Sequence, residues 1–129
     1  MKKILENITV ALVLLLAMAA GGCTTDPKFS GAIQLVPNSE IVVVRATAHR
    51  KPDGILVGGD VRRTNGYAGA VPGHLEVVGR DRSGNIVATS STPWGQFISR
   101  RFRLAYFKVL LLTPDPSTIA TIRIEPVTP

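Results

Sequence analysis

Four β-branched residues in succession, Ile41-Val42-Val43-Val44, constrain this chain most. Branching at Cβ stiffens χ1, which disfavours a helix and suits a pleated strand. The run continues as Arg45-Ala46-Thr47-Ala48-His49. Strict alternation places Val42, Val44, Ala46 and Ala48 on one face and Arg45, Thr47 and His49 on the other. A strand of this kind needs partners, and the rest of the chain supplies them. Residues 32–36 predict a short first strand, closed by Pro37-Asn38-Ser39. Lys51-Pro52-Asp53-Gly54 is a turn in which Pro presets φ, Asp supports the bend and Gly accepts positive φ. Residues 55–63 (ILVGGDVRR) form the next strand, and Gly58-Gly59 within it predicts a bulge or a close backbone approach.

Residues 64–73 are a ten-residue, glycine-rich loop that carries Tyr67. His74-Leu75-Glu76-Val77-Val78 alternates, with Leu75 and Val77 inward. Asp81-Arg82-Ser83-Gly84-Asn85 is a hairpin signal between two apolar runs. Residues 86–90 return, and residues 91–96 (STPWGQ) form a loop with the one Trp of the chain, Trp94. Residues 99–106 alternate with Phe102, Leu104 and Tyr106 on one face and Arg101, Arg103 and Ala105 on the other. The phase then slips near Phe107, predicting a bulge or two strand segments. Thr113-Pro114-Asp115-Pro116-Ser117 breaks the chain. Residues 118–125 are a closing strand with Ile122 and Ile124 inward. About seven strands, punctuated by 12 Gly and 9 Pro over the chain, predict an all-β fold: a single small antiparallel β-sandwich.

The N-terminus has a different texture. Met1-Lys2-Lys3 is basic, and Ile8 to Ala20 is a run of 13 residues without charge. A membrane-spanning helix needs ~20 apolar residues. The shorter run reads as a signal peptide, with small residues where cleavage belongs. Ala20-Gly21-Gly22-Cys23 resembles the lipobox of bacterial lipoproteins, although Ala20 stands where a larger aliphatic is usual. The resemblance implies cleavage before Cys23 and acylation of its thiol. Cys23 is the single cysteine, so this role also explains a lone thiol in an exported chain. In Gram-negative lipoproteins an Asp after the cysteine tends to retain the protein at the inner membrane. Thr24 stands there instead, which implies the outer membrane, facing the periplasm, if the host is Gram-negative. Residues 1–22 are then the signal peptide, residues 23–30 a lipidated flexible tether, and residues 31–129 the β-sandwich.

The strand series formed by residues 55–61, residues 75–87, the Phe102 strand and Thr121-Ile122-Arg123-Ile124 resembles the small immunoglobulin-like or fibronectin-III-like sandwiches of bacterial envelope proteins. The resemblance covers residues 41–125. It implies a spacer or an adhesive module, and fold by itself decides neither.

Charge narrows the partners. The net charge is +6, and Lys2, Lys3 and Glu6 lie upstream of Cys23, leaving +5 downstream. Export argues against nucleic acid as the counter-charge, leaving anionic headgroups or a carboxylate-rich envelope partner. With its one thiol assigned to acylation, the mature chain has no Cys-ligated metal or redox pair. The chain lacks the nucleophile-elbow, phosphate-loop and paired-His zinc motifs, so neither catalysis nor a cofactor is expected.

Three groups of residues are candidates for contact. Arg100, Arg101 and Arg103 offer guanidinium forks suited to carboxylate or phosphate; the alternative is a solvated face that discourages strand pairing. Tyr67 and Trp94 on loops are candidate aromatic contacts, the alternative for Trp94 being a cap on the core. His74 and Glu76 share a strand face, and a metal site would need His49 to converge on them. The resulting expectation is a non-catalytic, lipid-anchored module that binds another envelope protein or an anionic envelope component. The alternative is a structural accessory subunit or spacer without a ligand of its own.

Overall fold

The computed structural model describes residues 27–64, 71–97 and 104–129. Seven strands form two sheets: β1 (Ala32–Leu35), β2 (Ile41–Lys51), β3 (Gly54–Arg63), β4 (His74–Arg80), β5 (Ile86–Thr92), β6 (Leu104–Leu112) and β7 (Thr121–Val127). The first sheet has the order β2-β3-β6 and the second β1-β7-β4-β5. Two hairpins, β2–β3 and β4–β5, stay within a sheet, and the other connections pass between sheets. All pairings are antiparallel except β1 with β7. The architecture is a small β-sandwich.

The core lies between the sheets. Ile55, Val57, Val61 and Leu111 face it from one side, Leu75, Val77, Ile122 and Ile124 from the other, all fully buried. Leu75, Val77, Ile122 and Ile124 therefore occupy the positions that alternation assigns them. The β4–β5 turn also follows its residues. Asp81 Oδ1 accepts from the amides of Ser83 and Asn85 at 2.9 and 3.0 Å, and Gly84 takes φ +86°, a region that glycine enters without steric cost.

β2 departs from simple alternation. Its register against β3 shifts between Val43 and Arg45. Ile41 and Val43 are buried before the shift, and Ala48 is buried after it, with Ala46 partly so. Val42 and Val44, expected to share a face with Ala46 and Ala48, are instead exposed at 38 % and 53 %. Val44 is the extra residue of a β-bulge, and a bulge reverses the phase of everything beyond it.

The glycine pair on β3 explains where the bulge sits. A Cβ on Gly59 would collide with the carbonyl oxygen of Arg45. The close approach expected at Gly58-Gly59 thus occurs at Gly59, while the bulge itself is on the facing strand. Phe107 stands opposite Gly59 in the β3–β6 register and is buried, so its ring enters the core where its neighbour has no side chain.

β6 keeps one register against β3 from Leu104 to Leu112. Ala105, Phe107, Val109 and Leu111 point inward, while Tyr106 is 66 % exposed. The expected slip near Phe107 is absent from this strand, and Leu104 and Tyr106 lie on the outer face, not in the core. Both parities of this strand carry large apolar residues, so alternation alone does not set its phase. The packing of Phe107 beside Gly59 does.

Residues 27–29 also differ from a free tether. The Phe29 amide donates to the Ala48 carbonyl at 2.9 Å, and the Arg50 amide donates to the Pro27 carbonyl at 2.8 Å. Phe29 packs against the core, and Lys28 bridges His49. The chain is strapped to the edge of β2 before β1 begins.

The two glycines predict opposite outcomes. Gly59→Ala drives a Cβ into backbone, which cannot turn aside, and is expected to cost about 2–3 kcal/mol. A Cβ on Gly58 meets its nearest atom, the Phe107 carbonyl oxygen, at 3.4 Å. Gly58→Ala is therefore expected to be neutral or to stabilise by about 0.5 kcal/mol through reduced chain entropy. Urea unfolding of the two variants measures the contrast.

Candidate functional site

The outer face of the β2-β3-β6 sheet is built in rows. Register sets Arg45, Asp60 and Tyr106 in one row, and Thr47, Gly58 and Lys108 in the next. His49, Leu56 and Leu110 follow, and Lys51, Gly54 and Leu112 end the sheet at the hairpin. Gly58 lies in the central strand and contributes no side chain. The flanking strands rise on either side of it, leaving a shallow groove of about 420 Å³ between Arg45, Thr47, Tyr106 and Lys108.

Its chemistry is mixed. Arg45 Nη2 donates to Asp60 Oδ2 at 2.8 Å; the Arg45 side chain is 72 % exposed and that of Asp60 only 14 %. An ion pair exposed on one side contributes about 0–1 kcal/mol to stability. Its consequence is more positional: Asp60 holds one edge of the guanidinium and fixes it beside the groove. Across the groove, the Tyr106 ring and Lys108 stand in solvent. A backbone floor flanked by cations and an exposed ring suits a flat or extended ligand with negative charge.

The two outer faces carry different balances of charge. On the three-stranded sheet and its strap, Lys28, Arg45, Lys51, Arg62 and Lys108 face outward against one strand carboxylate, Asp60, with Asp53 exposed in the β2–β3 turn. On the four-stranded sheet, Arg80 and Arg123 are matched by Glu76 and Glu125. There Arg123 Nη2 lies 3.7 Å from Glu125 Oε2 and His74 Nε2 lies 3.6 Å from Glu76 Oε1. A second shallow depression, about 480 Å³, lies over β4 and β5 beside Glu76, Thr89 and Ser91. Its surroundings are close to charge-neutral. Exposed apolar residues are divided between the sheets: among those described, Val42, Val44, Tyr106 and Leu112 lie on the three-stranded sheet and Leu35, Ile86 and Val87 on the four-stranded one.

The residues singled out from sequence fall differently. Cys23, Tyr67, Arg100, Arg101 and Arg103 lie outside the described residues. Trp94 is 7 % exposed. Its Nε1 donates to the Val71 carbonyl at 2.9 Å, and its ring lies against Gly73, which takes φ +134°. The indole closes one end of the core, so it presents little surface to a partner. His74 and Glu76 share the outer face of β4, whereas His49 is on β2 in the other sheet, and the three do not converge. Among the described residues no group of three His, Cys, Asp or Glu side chains could hold a metal ion. Arg45, Tyr106 and Lys108 carry no sequence signal as a group. Their shared face depends on the β2 bulge and the phase of β6.

Trp94 should register in stability. Trp94→Phe keeps most of the ring but leaves the Val71 carbonyl without its donor, at an expected cost of about 1 kcal/mol. Trp94→Ala is expected to cost about 3 kcal/mol or more. Thermal unfolding of the two variants checks the order. No protein-family model matches this chain, and neither does any curated protein or solved structure.

Proposed function

We propose that this chain is a lipid-anchored, non-catalytic binding module of the bacterial cell envelope, contacting an anionic envelope component through the outer face of β2-β3-β6. The observation that carries the reading is the groove over Gly58, bordered by Arg45, Tyr106 and Lys108. A sheet face that only needed solvation would be served by polar residues of both signs, as the β4–β7 face is. Here cations outnumber acids, an aromatic ring stands exposed, and the central strand withholds a side chain between them.

The anchor reading supports the same conclusion. The Ala20-Gly21-Gly22-Cys23 segment would fix an acyl group just upstream of the strap. Each buried CH₂ contributes ~0.8 kcal/mol, and several chains on one cysteine hold a domain durably at a bilayer. A module so held meets its partner at high effective concentration, so a shallow site of modest affinity suffices.

The test places a photoreactive amino acid at position 106 in the native envelope. A discrete adduct, protein or lipid, is expected. Gly58→Thr, which fills the groove without entering the core, should reduce its yield several-fold. No adduct from position 106 would turn the assignment toward a spacer subunit without its own ligand.

A further inference from the structure

The position of the strap gives the anionic component a physical identity. Pro27, Lys28 and Phe29 run along the edge of β2 beside Ala48, His49 and Arg50. The chain therefore enters the fold at the hairpin end of the three-stranded sheet. From Cys23 to Pro27 are four Cα–Cα steps, which span at most about 14 Å. Acylation of Cys23 would keep this corner of the domain within that distance of the membrane surface.

The residues at that corner fit a headgroup layer. Lys28 lies on the strap, and Lys51 and Leu112 share the end row of the sheet. Leu112 is 63 % exposed. Farther along the same face lie Lys108, Tyr106 and Arg62. The three lysines downstream of Cys23 are Lys28, Lys51 and Lys108, and all of them fall on this face. Lysine is a point charge with a long apolar stem, suited to diffuse attraction to headgroups while the stem rests on the interface. Exposed leucine and tyrosine among such cations are side chains that partition to the boundary between headgroups and acyl chains.

We infer that the outer face of β2-β3-β6 docks on anionic phospholipid headgroups of the membrane that holds the Cys23 lipid, with Leu112 and Tyr106 at the interface and Lys28, Arg62 and Lys108 supplying the attraction. This rests on the reading of Cys23 as acylated and of this face as the binding face. The acyl chains hold the domain at the bilayer, and the basic-apolar face sets how it lies there. The domain would lie along the bilayer, leaving the charge-matched β4–β7 face toward the aqueous space.

The test uses the full lipoprotein reconstituted in vesicles, with a photoreactive amino acid at position 112 or, as control, at position 89 on the opposite sheet. In vesicles of phosphatidylglycerol and phosphatidylethanolamine, position 112 is expected to give lipid adducts and position 89 none. Phosphatidylcholine vesicles should abolish the difference, and raised salt should weaken it. Combined Lys28→Ser, Arg62→Ser and Lys108→Ser should lower the docked-to-undocked ratio by about a hundredfold, on about fivefold per basic residue near an anionic surface. These three residues are exposed, so the fold should survive, and a retained melting transition verifies it. Equal lipid labelling at 112 and 89 overturns the docking. A protein adduct at position 106 in the envelope, with no lipid at 112, overturns the docking and leaves the binding reading standing. Silence at both 106 and 112 overturns both. Failure to incorporate labelled palmitate overturns the anchor and the docking that rests on it.

Discussion

Where β2 crosses β3, the carbonyl oxygen of Arg45 occupies the space that a side chain at position 59 would need. Much of the molecule follows from this contact. Val44 is the extra residue where the register of β2 shifts, and only glycine at 59 leaves room for the Arg45 carbonyl oxygen. Beyond the bulge, Ala46 and Ala48 turn toward the core. Opposite Gly59 on the third strand, Phe107 fills the interior. A defect in one strand, a missing side chain in the next and a large ring in the third form a single packing solution.

The same contact shapes the surface. In a bulge two successive residues, here Val44 and Arg45, both face outward, so β2 presents more side chains to solvent than its length implies. Arg45 is thereby aimed at Asp60, 2.8 Å away, and the guanidinium borders the groove over Gly58. One glycine of the pair thus serves the inside and the other the outside. The opposite sheet has no such arrangement on its outer face, where glutamates and arginines are close to balance. The sandwich is two-sided in its chemistry, and its N-terminal strap enters on the basic side.

Parts of this were legible in the residues. β4 and β7 read correctly because Leu75, Val77, Ile122 and Ile124 alternate with polar neighbours, so one parity is unambiguous. The β4–β5 hairpin read correctly because Asp81 and Gly84 carry its geometry locally. β2 misled because a bulge is fixed by its partner strand and leaves no mark in Ile41-Val42-Val43-Val44. β6 misled because Leu104 and Tyr106 compete with Phe107, Val109 and Leu111 for the core, and the choice is made across the sheet by Gly59. Trp94 has two physical solutions on a loop, and the Val71 carbonyl decides for burial. Residues 27–29, expected within a flexible tether, are instead hydrogen-bonded along β2, because Phe29 finds a place on the core. Among the sequence-derived contacts, the Arg100–Arg103 cluster and Tyr67 lie outside the described residues. The groove over Gly58 came from register, which no single strand reveals.

On the proposed function, the outer face of β2-β3-β6 is the working face and meets an anionic surface. The most direct measurement is the collision accessibility of nitroxides attached at positions 112 and 89 of the full chain, with the proposed acylation at Cys23, on phosphatidylglycerol-containing vesicles. Position 112 is expected to gain oxygen accessibility and to lose accessibility to a water-soluble nickel complex, while position 89 stays fully aqueous. Equal aqueous exposure of both positions would contradict this reading.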